Sequence, residues 1–243
     1  MKNPDSQDKC LYFSLIVPAH QEEKYIGKTI HVLQEMDYPR DRFEVIIVEN
    51  GSQDKTAEII RADSPDWFSI LHCPEPSVSK AKNMGIEHIC AESDWVIFLD
   101  ADVLLEKSFL IEVDSFLREH DGEGLGCGMV SLRPDPDYRL ARAWYRFYNF
   151  ANRVTHTSRS IQLIRRDLLR EIRFDETLTF DEDTFLLRQC EARSKYFFMK
   201  TDKVFASIRR FESKGWIPQL AQWIYFASRS YERKKRIQYE VVR

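Results

Sequence analysis

Three short runs, Phe13–Val17, Phe43–Val48 and Val96–Leu99, are almost wholly apolar and lack the polar alternation of a half-exposed strand. Runs of this length, rich in Val and Ile, read as strands buried on both faces of a parallel sheet. Ile26, Ile30, Leu33 and Met36 fall near helical spacing, which predicts a helix from about Glu22 to Met36, ended by Tyr38-Pro39. A short helix over 54–62, a weaker strand over 67–72 and a helix over 79–90 complete the pattern. Strand and helix alternating over a hundred residues predict an α/β fold with a doubly wound, mostly parallel central sheet flanked by helices.

Ligands of open α/β sheets bind just outside the carboxyl ends of the strands. Here those ends are Pro18–Glu22, Glu49–Ser52, Pro76–Asn83 and Asp100–Asp102, so polar chemistry gathers on one rim. Asp100 and Asp102 lie two residues apart, on one side of an extended backbone. Two hard oxygen ligands so placed suit a Mg²⁺ or Mn²⁺ that also holds phosphate oxygens. The plainer alternative is that both acids solvate a strand end. No G-x-G-x-x-G follows the first strand and no G-x-x-x-x-G-K-[ST] occurs, which argues against a dinucleotide site and a P-loop. Phosphate would have to be held by a metal and cationic side chains.

Composition narrows the class. With 243 residues, 43% of them hydrophobic, the chain can build a large core. A net charge of −3 exerts no pull on nucleic acid, and no nucleic-acid partner is expected. Five cysteines without CxxC spacing fit a reducing compartment better than a disulfide framework or a zinc site. The polar start, residues 1–10, reads as a loose tail without a signal-peptide core, and no run reaches the length of a transmembrane helix. A cytoplasmic protein is expected, peripheral to the inner face of a membrane if its basic helix binds lipid. The sequon Asn50-Gly51-Ser52 is then accidental.

The second half changes character. A strand is expected near Met129–Leu132, and Arg133-Pro-Asp-Pro136 reads as a turn dividing residues 11–132 from 133–243. Residues 137–154 form an amphipathic helix, with Arg139, Arg142, Arg146 and Arg153 on one face and Leu140, Trp144, Phe147, Ala151 and Val154 on the other. The apolar face is expected to pack on the sheet. The basic one would face solvent, an anionic acceptor or a lipid headgroup. A strand at 161–164 precedes a helix at 165–171, and Asp181, Glu182 and Asp183 open another helix running to about Ala192. Acids there complement the helix dipole, yet three in a row exceed what capping needs, and a carboxylate kept ionised there suits a general base. A strand over 204–211 ends in Arg209 and Arg210, a pair able to grip a diphosphate. The last segment carries an aromatic stripe from Trp216 to Tyr231 and the basic cluster Arg233–Arg236, a combination that suits peripheral contact with an anionic membrane.

With these residues in view, the chain resembles a family 2 glycosyltransferase of the inverting GT-A fold, over roughly residues 13–211. Ser14-Leu-Ile-Val-Pro-Ala-His-Gln-Glu-Glu23 resembles the family's "V-I-P-A-Y-N-E-E", and Val48-Glu-Asn-Gly-Ser-Gln-Asp-Lys-Thr56 its "V-D-D/N-G-S-x-D-x-T". Ala81-Lys-Asn-Met-Gly85 resembles "A-R-N-x-G", Leu99-Asp-Ala-Asp102 the D-x-D, and Phe180-Asp-Glu-Asp183 the segment carrying the catalytic carboxylate. The resemblance implies a nucleotide-binding half followed by a smaller acceptor-side C-terminal part, in one continuous domain. It implies transfer of a sugar from a nucleotide-diphospho-sugar to a hydroxyl of a glycan, lipid-linked or small-molecule acceptor. Pro18, Ala19, His20 and Glu22, with Glu49 or Asn50, would cradle the base and ribose, and Lys82 would stand near the nucleotide. Asp102 would coordinate the metal, with Asp100 shared between metal and ribose across Ala101. Asp183 would be the general base. Arg209 and Arg210 would neutralise the leaving diphosphate.

The chain departs from that pattern at His20-Gln21, Glu49, Lys82 and Thr157–Ser160, which bear on the nucleotide and acceptor more than on the chemistry. Two rivals stand beside this reading: a nucleotidyltransferase on a related sheet, which would want a Gly-rich basic loop after the first strand, and a non-catalytic nucleotide-sugar-binding scaffold.

Overall fold

The computed structural model describes residues 10–157, 160–178 and 180–227. In its first half, β1 (Phe13–Ala19), α1 (Ile26–Gln34), β2 (Phe43–Glu49), α2 (Thr56–Asp63), β3 (Ser69–His72), α3 (Val78–Glu87) and β4 (Trp95–Leu99) follow in the expected order. Then come β5 (Val103–Leu105), α4 (Phe109–Glu119), β6 (Leu125–Val130), β7 (Arg133–Asp135), α5 (Arg139–Thr155) and β8 (Ile161–Arg165). The described chain closes with α6 (Glu182–Glu191), β9 (Lys195–Met199), β10 (Val204–Ser207), α7 (Arg209–Lys214) and α8 (Trp216–Ala227).

Seven strands form the central sheet in the order β3-β2-β1-β4-β8-β6-β9, and β5-β10-β7 form a smaller one. Only β8 runs against its neighbours in the large sheet, antiparallel to both β4 and β6. The apolar runs explain the layering. Alternate residues of one strand point to opposite faces. Phe13, Leu15, Val17, Ile97 and Leu99 therefore pack on one side, where α1 brings Ile26, Ile30 and Leu33. Ile16, Ile46, Val48, Val96 and Phe98 pack on the other, against Ala81 and Ile86 of α3 and Leu186 and Leu187 of α6. Burying each such side chain contributes roughly 1.5–3 kcal/mol, so both faces must be covered. A Cβ on Gly85 would lie 2.5 Å from Ile16 Cγ2, so α3 sits closer to β1 than any other residue there allows.

Several elements differ from expectation. Arg133–Asp135 is a strand, β7, that pairs in parallel with β10 and ends at a cis Asp135–Pro136 bond. β6, from before that point, lies in the sheet between β8 and β9 from after it, so the two halves share one sheet. The helix expected at 165–171 is a 3₁₀ stretch over Arg166–Arg170. The strand expected to reach Phe211 stops at Ser207, and Arg209 and Arg210 open α7.

The largest correction concerns α5. It buries Ala141, Tyr145 and Asn152, while Leu140, Phe147 and Val154 of the supposed inner face are exposed. The helix is anchored by Tyr145 and Trp144, whose rings meet Phe211 of α7, and Trp144 also meets Trp216 of α8. Among the described residues no helix is long and apolar enough to cross a membrane. The cluster Arg233–Arg236 lies outside the described residues.

Candidate active site

A cavity of about 690 Å³ opens at the carboxyl ends of β1, β2 and β4. It is lined from four strand ends, the start of α6, the β10–α7 junction and the inner face of α5.

The turn after β1 is fixed by side-chain bonds to the loop before α2. Gln21 adopts a left-handed φ of 56°, and its Oε1 accepts from the backbone amides of Gln53 and Asp54, each at 3.1 Å. The Glu22 amide donates to Thr56 Oγ1 at 2.7 Å. So held, the Glu22 carboxylate accepts both arms of the Arg209 guanidinium, at 2.7 and 2.5 Å. Arg209 Nη2 also stands 3.1 Å from Asp102 Oδ2. Burial alone would lower the affinity of Arg209 for its proton, but Glu22 and Asp102 outweigh it and hold the group firmly cationic. Arg209 thus ties two strand ends together, and Glu22 serves as its anchor.

β4 ends in a tight turn: the Val103 amide donates to Asp100 O at 3.1 Å, and Thr29 Oγ1 donates to Ala101 O at 2.7 Å. The Asp100 amide is taken by Ser160 O at 2.8 Å. Asp100, Ala101 and Asp102 all line the cavity. Burial pushes the Asp102 carboxyl up to about 6 against the pull of Arg209, with Asp100 and Glu22 adding to the rise. Among the described residues no three His, Cys, Asp or Glu side chains cluster closely enough to hold a metal unaided. Two carboxylates in the cavity wall nevertheless fit Mg²⁺ or Mn²⁺, which characteristically take one or two carboxylates and complete their shell with substrate phosphate and water.

A second charged pair lines the same cavity. Lys82 of α3 donates to Asp183 Oδ1, in the first turn of α6, at 2.5 Å, and both residues are buried. Burial works against the Lys82 ammonium, but Asp183, Glu182 and Asp100 outweigh it and hold its pKa above the ordinary lysine value. Glu182, also in the cavity wall, is pushed up to about 7, first by burial and then by the charge of Asp183. Asp181 holds the N-cap position with a left-handed φ of 68°.

The remaining expected residues divide. Pro18, His20, Asn50 and Arg210 line the cavity. Ala19 is fully buried in β1, and its carbonyl accepts from the Asn50 amide at 2.8 Å. Glu49 turns away to hold its own loop, accepting from the Ser52 amide and meeting His72 Nδ1, both at 2.6 Å. Burial opposes ionisation of Glu49, but those bonds hold its pKa below the ordinary value. Asn50 Oδ1 accepts from the Ser77 amide, bringing the α3 N-terminus to the rim. Ser160 lines the cavity, while its neighbours at 158–159 lie outside the described residues.

Sequence reasoning missed Tyr145 and Tyr148 of α5, Glu176, and a site role for Glu182. Glu176 is placed by Asn83, which binds Phe174 through both ends of its amide and donates to Glu176 Oε1 at 2.9 Å. The motif asparagine was visible in the sequence, but its partner 91 residues away was not.

Known proteins resemble this chain in sequence and in fold. Poly(ribitol-phosphate) beta-N-acetylglucosaminyltransferase TarS of Staphylococcus aureus (strain MW2) is 27% identical over 200 residues, covering 79% of this chain and 35% of TarS. The chain thus spans about a third of the length of that relative. The crystal structure of S. aureus TarS 1–349 in complex with UDP-GlcNAc superposes with a TM-score of 0.66 at 24% identity, over 82% of this chain and 59% of that one. Mannosyltransferase PcManGT from Pyrobaculum calidifontis, in complex with GDP-Man and Mn²⁺, gives 0.65 at 18% identity, over 90% and 65%. These likenesses establish the architecture as the GT-A fold. The model of the family described as "Glycosyl transferase family 2" matches residues 14–197, which covers the central sheet and every motif of the rim from Pro18 to Asp183: the chain belongs to glycosyl transferase family 2.

Proposed function

We propose that this chain transfers a sugar from a nucleotide-diphospho-sugar to an acceptor hydroxyl, with inversion at the anomeric carbon. The observation that carries this reading is that one cavity gathers Asp100 and Asp102, after β4, with Lys82 of α3 paired to Asp183 in the first turn of α6. The relatives solved with UDP-GlcNAc and with GDP-Man support a nucleotide-sugar donor.

The donor diphosphate lies toward Asp100 and Asp102, where Arg210 adds positive charge. A Mg²⁺ or Mn²⁺ held by these two carboxylates would supply Lewis-acid stabilisation of the charge building on the leaving group. Pro18, His20 and Asn50 bound the nucleoside end. Lys82, an ammonium beside Asp183, favours the ionised carboxylate that a proton acceptor requires. The acceptor oxygen forms a bond to the anomeric carbon as the bond from that carbon to phosphate oxygen breaks. The electron pair leaves with the nucleoside diphosphate, and the acceptor's proton passes to Asp183. A single displacement of this kind needs one base, unlike the paired carboxylates of glycoside hydrolysis.

The test is a panel of UDP- and GDP-sugars, each with and without Mn²⁺, followed by thermal shift and slow donor hydrolysis. One donor should raise the melting temperature in a metal-dependent way. Asp183→Asn should keep that shift and lose transfer, whereas Asp102→Ala should lose the shift itself. Normal turnover by Asp183→Asn would overturn the base assignment. Release of pyrophosphate from a nucleoside triphosphate and a sugar phosphate would replace the whole reading by a nucleotidyltransferase. Donor binding without turnover under any acceptor would leave a scaffold.

A further inference from the structure

Helix α5 has three faces rather than two. Its inner face carries the buried Ala141 and Tyr145, and with Tyr148 it lines the cavity. A second strip, Leu140, Phe147, Phe150 and Val154, is 56, 52, 65 and 63% exposed. At 3.6 residues per turn these four project from one side of the helix. The third strip is Arg139, Arg142, Arg146 and Arg153, all exposed and immediately beside the apolar one.

Scattered surface leucines mean little, but a contiguous apolar strip marks a contact site. Among the described residues nine large apolar side chains are exposed. Four belong to this strip, Tyr138 precedes it, and Ile217 and Tyr225 belong to α8, which meets α5 where the rings of Trp216 and Trp144 lie 5.4 Å apart. The charge beside the strip has one sign. α5 contains no acidic residue in its 17 positions. Arg142 pairs with Asp137 at 3.0 Å, while no carboxylate among the described residues pairs with Arg139, Arg146 or Arg153.

We infer that this outer surface of α5, continued by α8, docks on an anionic lipid bilayer. A helix of 17 residues, about 25 Å long, would lie in the plane of the membrane. Phe147, Phe150 and Val154 would enter the acyl boundary, with Arg139, Arg146 and Arg153 at the lipid phosphates, the arrangement by which amphipathic helices bind interfaces. A second copy of this chain is a poorer occupant, since it offers the same positive charge and no acidic partner on this face. Docking does not depend on the reaction proposed above. What rests on that reading is the consequence: the face of α5 opposite the bilayer walls the cavity, so the acceptor hydroxyl would be presented by a membrane-attached molecule.

Flotation of the 243-residue chain with vesicles tests this, using phosphatidylcholine alone and mixed with phosphatidylglycerol. The protein should float with the mixed vesicles at low salt, and binding should fall as salt rises. Arg139→Glu/Arg146→Glu/Arg153→Glu should weaken binding at least about tenfold, and Phe147→Ser/Phe150→Ser should also weaken it. Neither variant touches the cavity, so donor-induced thermal shifts should be unchanged. Equal binding to both vesicle types, no binding by the parent chain, or unaltered binding by the arginine variant would overturn the inference. So would a dimer without lipid that Phe147→Ser/Phe150→Ser converts to monomer. The salt dependence of the parent chain decides the matter even if a variant folds poorly. Loss of lipid binding with intact donor binding, or the reverse, separates the failure of this inference from failure of the proposed reaction.

Discussion

Lys82 Nζ donates to Asp183 Oδ1 across 2.5 Å, joining residues 101 positions apart on α3 and α6. Both are buried, so the pairing compensates each for leaving water. Lys82→Met should leave Asp183 and Glu182 facing each other without a cation. Removing one partner of a buried pair costs about 3–5 kcal/mol. The expected result is a fall of that order in stability by urea denaturation, together with loss of transfer. Lys82→Arg should recover much of the stability. If Lys82→Met melts like the parent, the pair is not formed in solution.

Glu182 makes stability depend on pH in a definite direction. Its carboxyl is raised from an ordinary 4.5 to about 7, by burial and then by Asp183. Between those values the folded chain keeps a proton that the unfolded chain has released. Its contribution is therefore fully present below about pH 4.5 and is lost as pH rises through about 7. The loss should be on the order of 2 kcal/mol once partial contact with solvent is allowed for. Urea midpoints measured from about pH 5 to about pH 8 should fall for the parent chain and fall less for Glu182→Gln. Parallel curves would mean that Glu182 titrates normally.

What the sequence made legible follows from where the signal was local. β1, β2 and β4 are apolar on both faces, so their burial needs no partner to be inferred. The two aspartates after β4 sit at a rim position that strand order alone dictates. Missed were α4, whose Phe109, Leu110, Val113 and Leu117 have helical spacing that was readable, and β9, a five-residue strand bounded by charges. The inner face of α5 was misassigned because two strips of it are apolar, and only tertiary contact decides which is inside. Arg209 was visible as a cation, but its commitment to Glu22 spans 187 residues.

The motif glycine at position 85 gives a packing test independent of chemistry. An added Cβ would meet Ile16 Cγ2 at 2.5 Å, on a fully buried strand residue with little room to move. Gly85→Ala should destabilise by about 1–3 kcal/mol. Gly85→Ala combined with Ile16→Ala should lose less than the sum of the two changes, since Ile16→Ala removes the Cγ2 that the added Cβ would meet. Strict additivity in urea denaturation would show that α3 does not approach β1 this closely.

The Arg209 fork makes the last and most specific claim. Arg209 and Glu22 are each only 10% exposed at the side chain, and Asp102 shares the same guanidinium. Arg209→Ala leaves the buried Glu22 carboxylate, and with it the half-buried Asp102, without this guanidinium and should cost about 3–5 kcal/mol. Arg209→Lys keeps the charge but loses the planar fork, so it should fall between parent and alanine. Glu22→Gln removes one claimant, so the added cost of Arg209→Ala should be smaller in that background. The double-mutant coupling should lie within about 0.5–3 kcal/mol. Zero coupling would mean that the two residues do not meet. A coupling in stability with unchanged donor binding would separate a purely structural clasp from one that also sets where Asp102 stands, because in the second case Arg209→Lys must also weaken the metal-dependent donor shift.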